Sequence, residues 1–584
     1  MRLEDYWGIG PKTRTLLADT IGVERAITAI EAGEVGTLVA AGVSRGRATQ
    51  ILRRAHGNAG LATLVSSDAR SVYDDLLSLA AEYAVTDGAA DRIRVLTPLT
   101  DPTAATDRLD EILAARDTWE SLDQSAREQI QESFTTYDAA NGTDRAAVET
   151  AVALQEAGLG DAFDVLADLD VAELQDAAGA LGYFRETDTG VEVLEGADTE
   201  LDRLRAQLVA LRNEEGSALD IIESIRAAGT RDIEEFQSAV IDYIANETDI
   251  DHGTIRTAAI KDAVDTADFV SGTLRNLGAK LEADVESREK AVASQLQSTI
   301  DTAENDVTTA VEAVSDIAFA LSLGRFAAEY DLRRPELGGD GLAVRNARNL
   351  FLSGDVQPIT YAIGAHEMPA SESVQPPTDD RVAVLTGANS GGKTTLLETL
   401  CTIVILASMG LPVPADDAHV GSFDHIVFHR RHASFNAGVL ESTLQSVVPP
   451  LVKDGRTLML VDEFEAITEP GRAADLLNGL VGLTVERDAL GVYVTHLAED
   501  LAPLPAATRI DGIFAEGLTP DLELQVDYQP RFGTLGRSTP EFIVSRLVAN
   551  AENRTVRQGF EELASAVGQE AVQRTLSDVR WAPE

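Results

Sequence analysis

Along the first 57 residues, apolar positions come in short helical clusters separated by glycine-bearing turns. Two helix–turn–helix units can be read there. One turns at Gly8-Ile9-Gly10 and enters a helix opening at Pro11; the other turns at Ala41-Gly42-Val43-Ser44 and enters a helix carrying Arg45, Arg47, Arg53 and Arg54. Proline suits a first helical turn and glycine the bend before it. From 58 to about 196 the pattern is helical and rich in Ala, Leu and Asp. Breaks at Gly158-Leu159-Gly160, Gly182 and Gly190 suggest loops, and no residue set there carries chemistry. From 197 to 325 long amphipathic helices are expected. The stretch Thr254 to Tyr330 has no proline, and Val264, Ala267, Val270, Leu274, Leu277, Leu281 and Val285 recur at intervals of three and four. An antiparallel coiled-coil arm fits, with the stretch from Thr199 to Arg226 as partner. From about 380 the period changes. Arg381–Thr386, Thr457–Glu463, Gly491–Thr495, Arg509–Glu516 and Leu522–Tyr528 read as strands with helices between them, which predicts a parallel or mixed sheet.

The chain has 584 residues and a net charge of −49, with 97 acidic against 48 basic residues, of which only six are lysine. Acid spread along the whole chain, scarce Lys and abundant Ala, Val and Asp point to a protein adapted to molar salt. The alternative is an acidic protein that avoids nucleic acid. At about 1 M salt the Debye length is about 3 Å, and counterion release then gives little affinity for DNA. A DNA binder under those conditions depends on shape, backbone hydrogen bonds and encirclement, so negative charge does not exclude DNA. Residues 1–57 stand apart, with eight basic residues against six acidic. The single cysteine, Cys401, lies in an apolar run and fits a buried core position. Neither a signal-like N-terminus nor a stretch of 18 uncharged apolar residues is seen, so a cytoplasmic protein is expected.

The chemistry is concentrated near the C-terminal end. Gly387-Ala388-Asn389-Ser390-Gly391-Gly392-Lys393-Thr394 satisfies G-x-x-x-x-G-K-[ST] between an expected strand and an expected helix. Glycines let backbone N–H groups wrap phosphate oxygens, and the helix N-terminus adds a favourable dipole. Lys393 is expected at the β- and γ-phosphates and Thr394 on Mg²⁺. The apolar strand ending in Asp462-Glu463 supplies a second carboxylate position for Mg²⁺ (Asp462) and a group to orient or deprotonate water (Glu463). His496, ending the next strand, can sense a γ-phosphate or serve as a solvent-facing turn residue.

Taken together these motifs resemble the MutS family, an ABC-type ATPase branch. The loop GANSGGKTT, running to Thr395, has Asn389 at the family's asparagine position. Gly410-Leu411-Pro412-Val413-Pro414-Ala415-Asp416-Asp417-Ala418 is similar to the family's turn after the loop helix, and Phe423-Asp424-His425-Ile426 follows it. The resemblance implies ATP and Mg²⁺, a homodimer in which Ser442 acts in trans on the neighbouring nucleotide, a helix over Ala318–Pro335 joining lever to ATPase, and Tyr528 stacking on adenine. The N-terminal units resemble a tandem helix-hairpin-helix module, implying phosphate contacts on double-stranded or branched DNA through Gly8, Ile9, Gly10, Lys12, Gly42, Arg45 and Arg47. A protein-docking role for that module is the alternative.

There are departures from the family pattern. Phe464-Glu465-Ala466-Ile467-Thr468-Glu469-Pro470 replaces a Gly-rich segment. No Phe-x-Glu occurs in the setting of a mismatch reader, and the helical stretch after about 551 is too short for a small nuclease domain. The expected multidomain layout is 1–57 helix-hairpin-helix module, 58–196 helical connector, 197–325 lever helices and clamp arm, 326–550 α/β P-loop ATPase of ABC type, and 551–584 helical dimerisation tail. The expected function is an ATP-gated DNA clamp acting in mismatch repair or recombination control. The alternative is a chromosome-organising scaffold that binds ATP and hardly hydrolyses it.

Overall fold

The computed structural model describes residues 2–581 except 7, 162, 188–189, 216–217, 228–231, 355, 369–373, 388–391, 431–436, 464–469, 502, 520–521 and 537–539. Two compact units are resolved: residues 1–131 with 315–584, and residues 132–314.

The first unit begins with the helices α1 (Pro11–Thr20), α2 (Val23–Glu31), α3 (Val35–Ala40), α4 (Arg45–Leu61) and α5 (Ser67–Ala81). Leu17, Ile30, Leu38, Ile51 and Leu52 are fully buried and form the core of this module. Gly8 at φ 84° and Gly42 at φ 94° occupy the left-handed region that each turn requires. Helix α4 is not straight. Gly57 departs from helical geometry (φ −156°, ψ 44°), and a Cβ at Gly60 would meet the carbonyl oxygen of Pro98 at 1.8 Å. The kink and that close approach seat the end of α4 on the 97–98 segment.

In the second unit a short hairpin, β1 (Phe184–Thr187) with β2 (Gly190–Val193), interrupts the helices. The polar, glycine-bearing sequence there suggested loops alone. The long apolar period of 254–330 also breaks. Helix 252–258 ends before 259–265, Val264 is 91% exposed outside any helix, and one 37-residue helix then runs over Thr266–Thr302. At about 1.5 Å per residue it is about 55 Å long. Helix Thr199–Glu215 lies antiparallel against it: Arg205 meets Glu289 at 2.8 Å and Arg212 meets Glu282 at 2.7 Å, seven residues on and seven back. The arrangement is more than a two-stranded coil. Helices Ala218–Ala227 and Ile233–Thr248 bury Ile221, Phe236, Val240 and Ile244 around Leu274, Leu277 and Leu281 of the long helix.

Returning to the first unit, strands begin earlier than the sequence pattern suggested. They are β3 (Glu336–Leu337), β4 (Leu342–Ala347), β5 (Ile359–Ile363), β6 (Val382–Gly387), β7 (Asp417–Val420), β8 (His425–His429), β9 (Thr457–Asp462), β10 (Leu490–Val494), β11 (Thr508–Leu518) and β12 (Leu524–Arg531). A six-stranded sheet has the order β12-β11-β6-β10-β9-β8, parallel except for the edge pair β11–β12. A four-stranded sheet has the order β3-β7-β4-β5. Strands β5, β6, β9 and β10 are buried along their whole length, as a sheet covered on both faces demands.

The outer edge of β8 is closed by the link between α4 and α5. Ile426 N–H donates to Thr63 O at 2.7 Å and Val65 N–H to Ile426 O at 3.1 Å, while Ser66 Oγ exchanges bonds with the backbone of Phe428. An open strand edge is thereby paired internally.

Among the described helices, Glu304–Glu329 is long and apolar enough to cross a membrane by length and composition, and about two-thirds of its apolar stretch is buried. Cys401 is fully buried in helix Lys393–Ser408, and burial pushes its thiol well above the ordinary range.

Candidate functional site

Parallel strands direct their C-terminal ends to one edge of the sheet, and residues just beyond those ends converge. Register fixes which ones. Val494 of β10 pairs with Asp462 of β9 and with Leu385 of β6. Gly387, Asp462 and Thr495 are therefore neighbours at one edge.

Gly387 ends β6 at φ 133°, and a Cβ there would lie 2.2 Å from Ile513 O on the adjacent β11. This first glycine is required by strand packing as well as by the turn. Ala388, Asn389, Ser390 and Gly391 lie outside the described residues. Gly392 follows as the helix N-cap in the left-handed region (φ 72°), and Lys393 and Thr394 form the first turn. Lys393 is 4% exposed, and its Nζ donates to Gly387 O at 3.1 Å, closing the loop across its base. Thr394 Oγ1 donates to Asp462 Oδ2 at 2.6 Å across 68 positions of sequence. Asp462 is 2% exposed. A hydroxyl and a carboxylate held this closely are hard oxygen donors of the kind Mg²⁺ uses beside substrate phosphates. The described residues contain no group of three or more His, Cys, Asp and Glu able to hold a metal, so the pair fits an ion completed by phosphate and water.

Glu463 takes φ 42°, unusual outside glycine, with its N–H on Val494 O at 3.0 Å. His496 Nε2 stands 3.1 Å from Glu463 Oε1. A carboxylate placed one residue beyond the Thr394 partner and oriented by an imidazole can position water. Ser442 lies exposed in helix Ala437–Val452. The segment 464–469 is outside the described residues.

Tyr528 of β12 packs on the same turn: its ring carbon Cδ1 would be 2.8 Å from a Cβ at Gly392. Beside it is a cavity of about 370 Å³ lined by Leu352, Val356, Ile359, Gly392, Thr395 and Tyr528. Its wall mixes these apolar groups with Asn349, Gln357 and Thr399, and can take a flat heterocycle with polar edges at the base of the loop. The cavity's far side comes from Leu352, Ser353, Val356, Gln357 and Ile359, which carried no signal in sequence. Their place depends on β5 pairing, not on any motif.

A buried charged cluster beneath the loop was likewise hidden in sequence. Asp511, fully buried on β11, accepts from Tyr361 Oη at 2.9 Å, Arg509 Nε at 2.9 Å and Gly533 N–H at 3.2 Å. Its backbone oxygen accepts from Thr386 Oγ1 at 2.9 Å, immediately before Gly387.

In the N-terminal module, Ile9 is a core residue and its N–H donates to Tyr6 O at 3.2 Å, while Gly42 N–H donates to Val39 O at 2.9 Å. These groups build the turns themselves. The helices that follow open with no side-chain cap, at Gly10 before α1 and Ser44 before α4. Gly10 is half-buried and Lys12 is exposed near the start of α1. Arg47 reaches back to Gly8 O at 3.0 Å, and Arg45 pairs with Asp91 at 2.8 Å. The loop chemistry and the hairpin chemistry therefore come from opposite ends of the chain within one unit.

Comparison with known proteins agrees with the loop and strand-edge geometry. The family described as MutS domain V matches residues 383–448. The DNA-binding protein MutS2 of Pyrococcus furiosus is 42% identical over 240 residues, 41% of this chain and 41% of that protein. The endonuclease MutS2 of Pelotomaculum thermopropionicum is 27% identical over 245 residues, 41% of this chain and 29% of its own length. The endonuclease MutS2 of Clostridium botulinum is 24% identical over 331 residues, 54% of this chain and 39% of its own. The chain thus spans less than half the length of each of these relatives.

Proposed function

Taking the chain as a MutS-family protein, on the domain V match and the MutS2 likeness, we propose that it is an ATP-dependent DNA-binding protein that works as a dimeric clamp. Its targets are branched, distorted or mismatched duplexes in the cytoplasm, in recombination control or mismatch repair. The observation that carries the reading is the 2.6 Å contact between Thr394 and Asp462 beside Lys393, because a loop and a strand tip 68 residues apart meet where a triphosphate and its Mg²⁺ would sit.

In this reading the backbone of Gly387 to Thr395, including Ala388, Asn389, Ser390 and Gly391, wraps the phosphates. Lys393 turns from Gly387 O to the β- and γ-oxygens. Thr394 and Asp462 hold Mg²⁺, whose charge stabilises the transferring phosphoryl group. Glu463 orients the attacking water, and His496 holds Glu463 and reports the γ-phosphate. Tyr528 covers the adenine in the adjoining cavity. Ser442 serves the nucleotide of the second protomer. Gly8, Gly10, Lys12, Gly42, Arg45 and Arg47, with the backbone at Ile9, face DNA phosphates at the uncapped helix starts. The endonuclease activity in the names of two relatives stays with those proteins.

Steady-state phosphate release in molar KCl, with and without a four-way junction, tests the proposal. Turnover stimulated by DNA is expected. Lys393→Ala should abolish tight ATP binding, and Glu463→Gln should bind ATP and accumulate as a closed dimer without turnover. Continued hydrolysis by Glu463→Gln would remove Glu463 from its role. A second reading, an ATP-binding scaffold with negligible hydrolysis, draws on Phe464–Pro470, which lacks glycine. Absence of stimulated turnover, with ATP binding intact, would favour it.

A further inference from the structure

A second basic site lies outside the two hairpin turns, at the far end of α4. Residues 35–67 contain four arginines and no Asp or Glu, the longest stretch of this chain without a carboxylate side chain. In a protein of net charge −49 that is a local inversion of sign. Helix α4 organises it. Arg47, Gln50 and Arg54 follow at intervals of three and four, so they share one helix face, Asn58 follows just beyond the Gly57 kink, and all four are exposed. The stripe starts at the second hairpin, where Arg47 touches Gly8 O, and ends in a cavity of about 430 Å³ between α4 and α5.

That cavity is lined by Gln50, Arg53, Arg54, Asn58, Arg70 and Asp74, three guanidinium groups to one carboxylate. Its walls are fixed in place. Arg53 lies 4.7 Å over the ring of Tyr73, donates to Arg94 O at 2.8 Å and pairs with Asp74 at 2.6 Å. Arg70 Nε donates to Leu64 O at 2.8 Å, in the segment that closes the edge of β8. The Gly57 kink turns the last part of α4 to form the remaining wall.

We propose that this cavity is a seat for a backbone phosphate of the bound DNA, with Arg54 and Arg70 as its ligands and Gln50 and Asn58 beside them. The proposal rests on the DNA-binding reading above and adds a site to it. Spacing supports DNA as the source. Arg47 and Arg54 are seven residues apart, about 10 Å along the helix axis, within reach of neighbouring phosphates of one strand. One strand can meet the hairpin and then the cavity. Salt supports a recessed site as well. Where the Debye length is about 3 Å, long-range attraction offers little, whereas guanidinium donors converging on one cavity still form charge-assisted hydrogen bonds with a phosphate in contact.

The test uses the full chain in molar KCl, labelled duplex and four-way junction DNA, and the variants Arg54→Gln, Arg70→Gln and their combination. The double variant should bind DNA at least about tenfold more weakly, and the slope of log affinity against log salt should fall by about 1 to 2. Its ATP affinity and unfolding midpoint should stay at the wild-type level. Arg54→Lys, which keeps the charge, should recover part of the loss. If wild type binds DNA and the double variant matches it in affinity and slope, the cavity is not a DNA seat, and the wider reading survives. If wild type itself binds no DNA, the wider reading fails with it. Inorganic phosphate or dAMP occupying the cavity as tightly as DNA, measured by competition and lost in the double variant, would instead make it a site for small phosphates and overturn the assignment.

Discussion

Asp511 holds two strands and two loops at a place where no solvent reaches. Its carboxylate takes three donors, and its backbone oxygen fixes Thr386 one residue before the phosphate loop. Asp511→Ala would leave Arg509 charged and buried with its main partner gone, a change that costs about 3–5 kcal/mol. Denaturant unfolding should show the midpoint falling accordingly, and an unmoved midpoint would mean that the cluster carries little weight. Gly392 is constrained differently. It sits at φ 72°, and Tyr528 occupies the space a side chain would need. Gly392→Ala combines an αL cost of about 1–2 kcal/mol with displacement of the tyrosine ring. ATP affinity, read by fluorescent nucleotide titration, should drop about tenfold or more. Wild-type affinity in that variant would sever Tyr528 and Gly392 from the nucleotide site. Sequence shows the glycine's motif at once, but not what stands over it, because Tyr528 arrives through β12 pairing 136 positions later.

Among elements, β6, β9 and β10 were legible because each is an unbroken apolar run, and two of them end in residues with recognisable chemistry. The strands β3, β4, β5 and β7 were not. Glu336–Leu337 and Asp417–Val420 are too short and too polar to show a period; β7 exists through pairing with β4, and β3 through pairing with β7. The break at 259–265 was hidden for another reason: apolar spacing continues through it, and only Val264's exposure reveals it. The antiparallel partnership of 199–215 with the long helix was legible from period. The ion pairs that set its register were not. One of them gives a pH prediction. Arg288 grips both oxygens of Asp198 at 2.7 and 2.9 Å, and Leu201 N–H adds a third bond at the start of helix Thr199–Glu215. The guanidinium, and then that N–H, lower the Asp198 pKa from 3.8 to about 2. A depressed carboxyl stabilises the fold above its ordinary pKa and loses that contribution as pH falls from about 4 through about 2. Hydrogen-exchange protection factors over residues 199–205, which remove the pH dependence of intrinsic exchange, should therefore stay high at pH 5 and fall toward pH 2 in wild type. In Arg288→Ala they should already be lower at pH 5. Equal protection in the two at pH 5 would show that the ion pair does not anchor this helix start.

At the scale of the whole molecule, charge decides how folding and binding respond to salt. Ninety-seven carboxylates against 48 cations leave a net −49, and the ion pairs that answer part of it are mostly exposed and screened, so each contributes little. Unscreened self-repulsion must therefore weigh against the compact state in dilute buffer, and screening must relieve it. Raising KCl from about 0.1 M to molar levels, where the Debye length shrinks from about 10 Å to about 3 Å, should raise the unfolding temperature steeply. Each kcal/mol recovered moves the midpoint of a unit the size of residues 132–314 by about 2–4 °C, so recovery of about 3 kcal/mol would raise it by about 6–12 °C. DNA affinity, on the proposed reading, should move the opposite way, with a slope set by the number of phosphates met. The two responses discriminate between explanations of the charge. A chain that merely avoids nucleic acid would gain stability in salt and bind no DNA at any concentration. A chain adapted to molar salt and built to hold DNA would gain stability and keep measurable affinity there. If the unfolding temperature were flat or falling with KCl, the acid excess would have no role in salt adaptation, and short-range contacts in a cavity would hold no advantage over long-range attraction in binding phosphate.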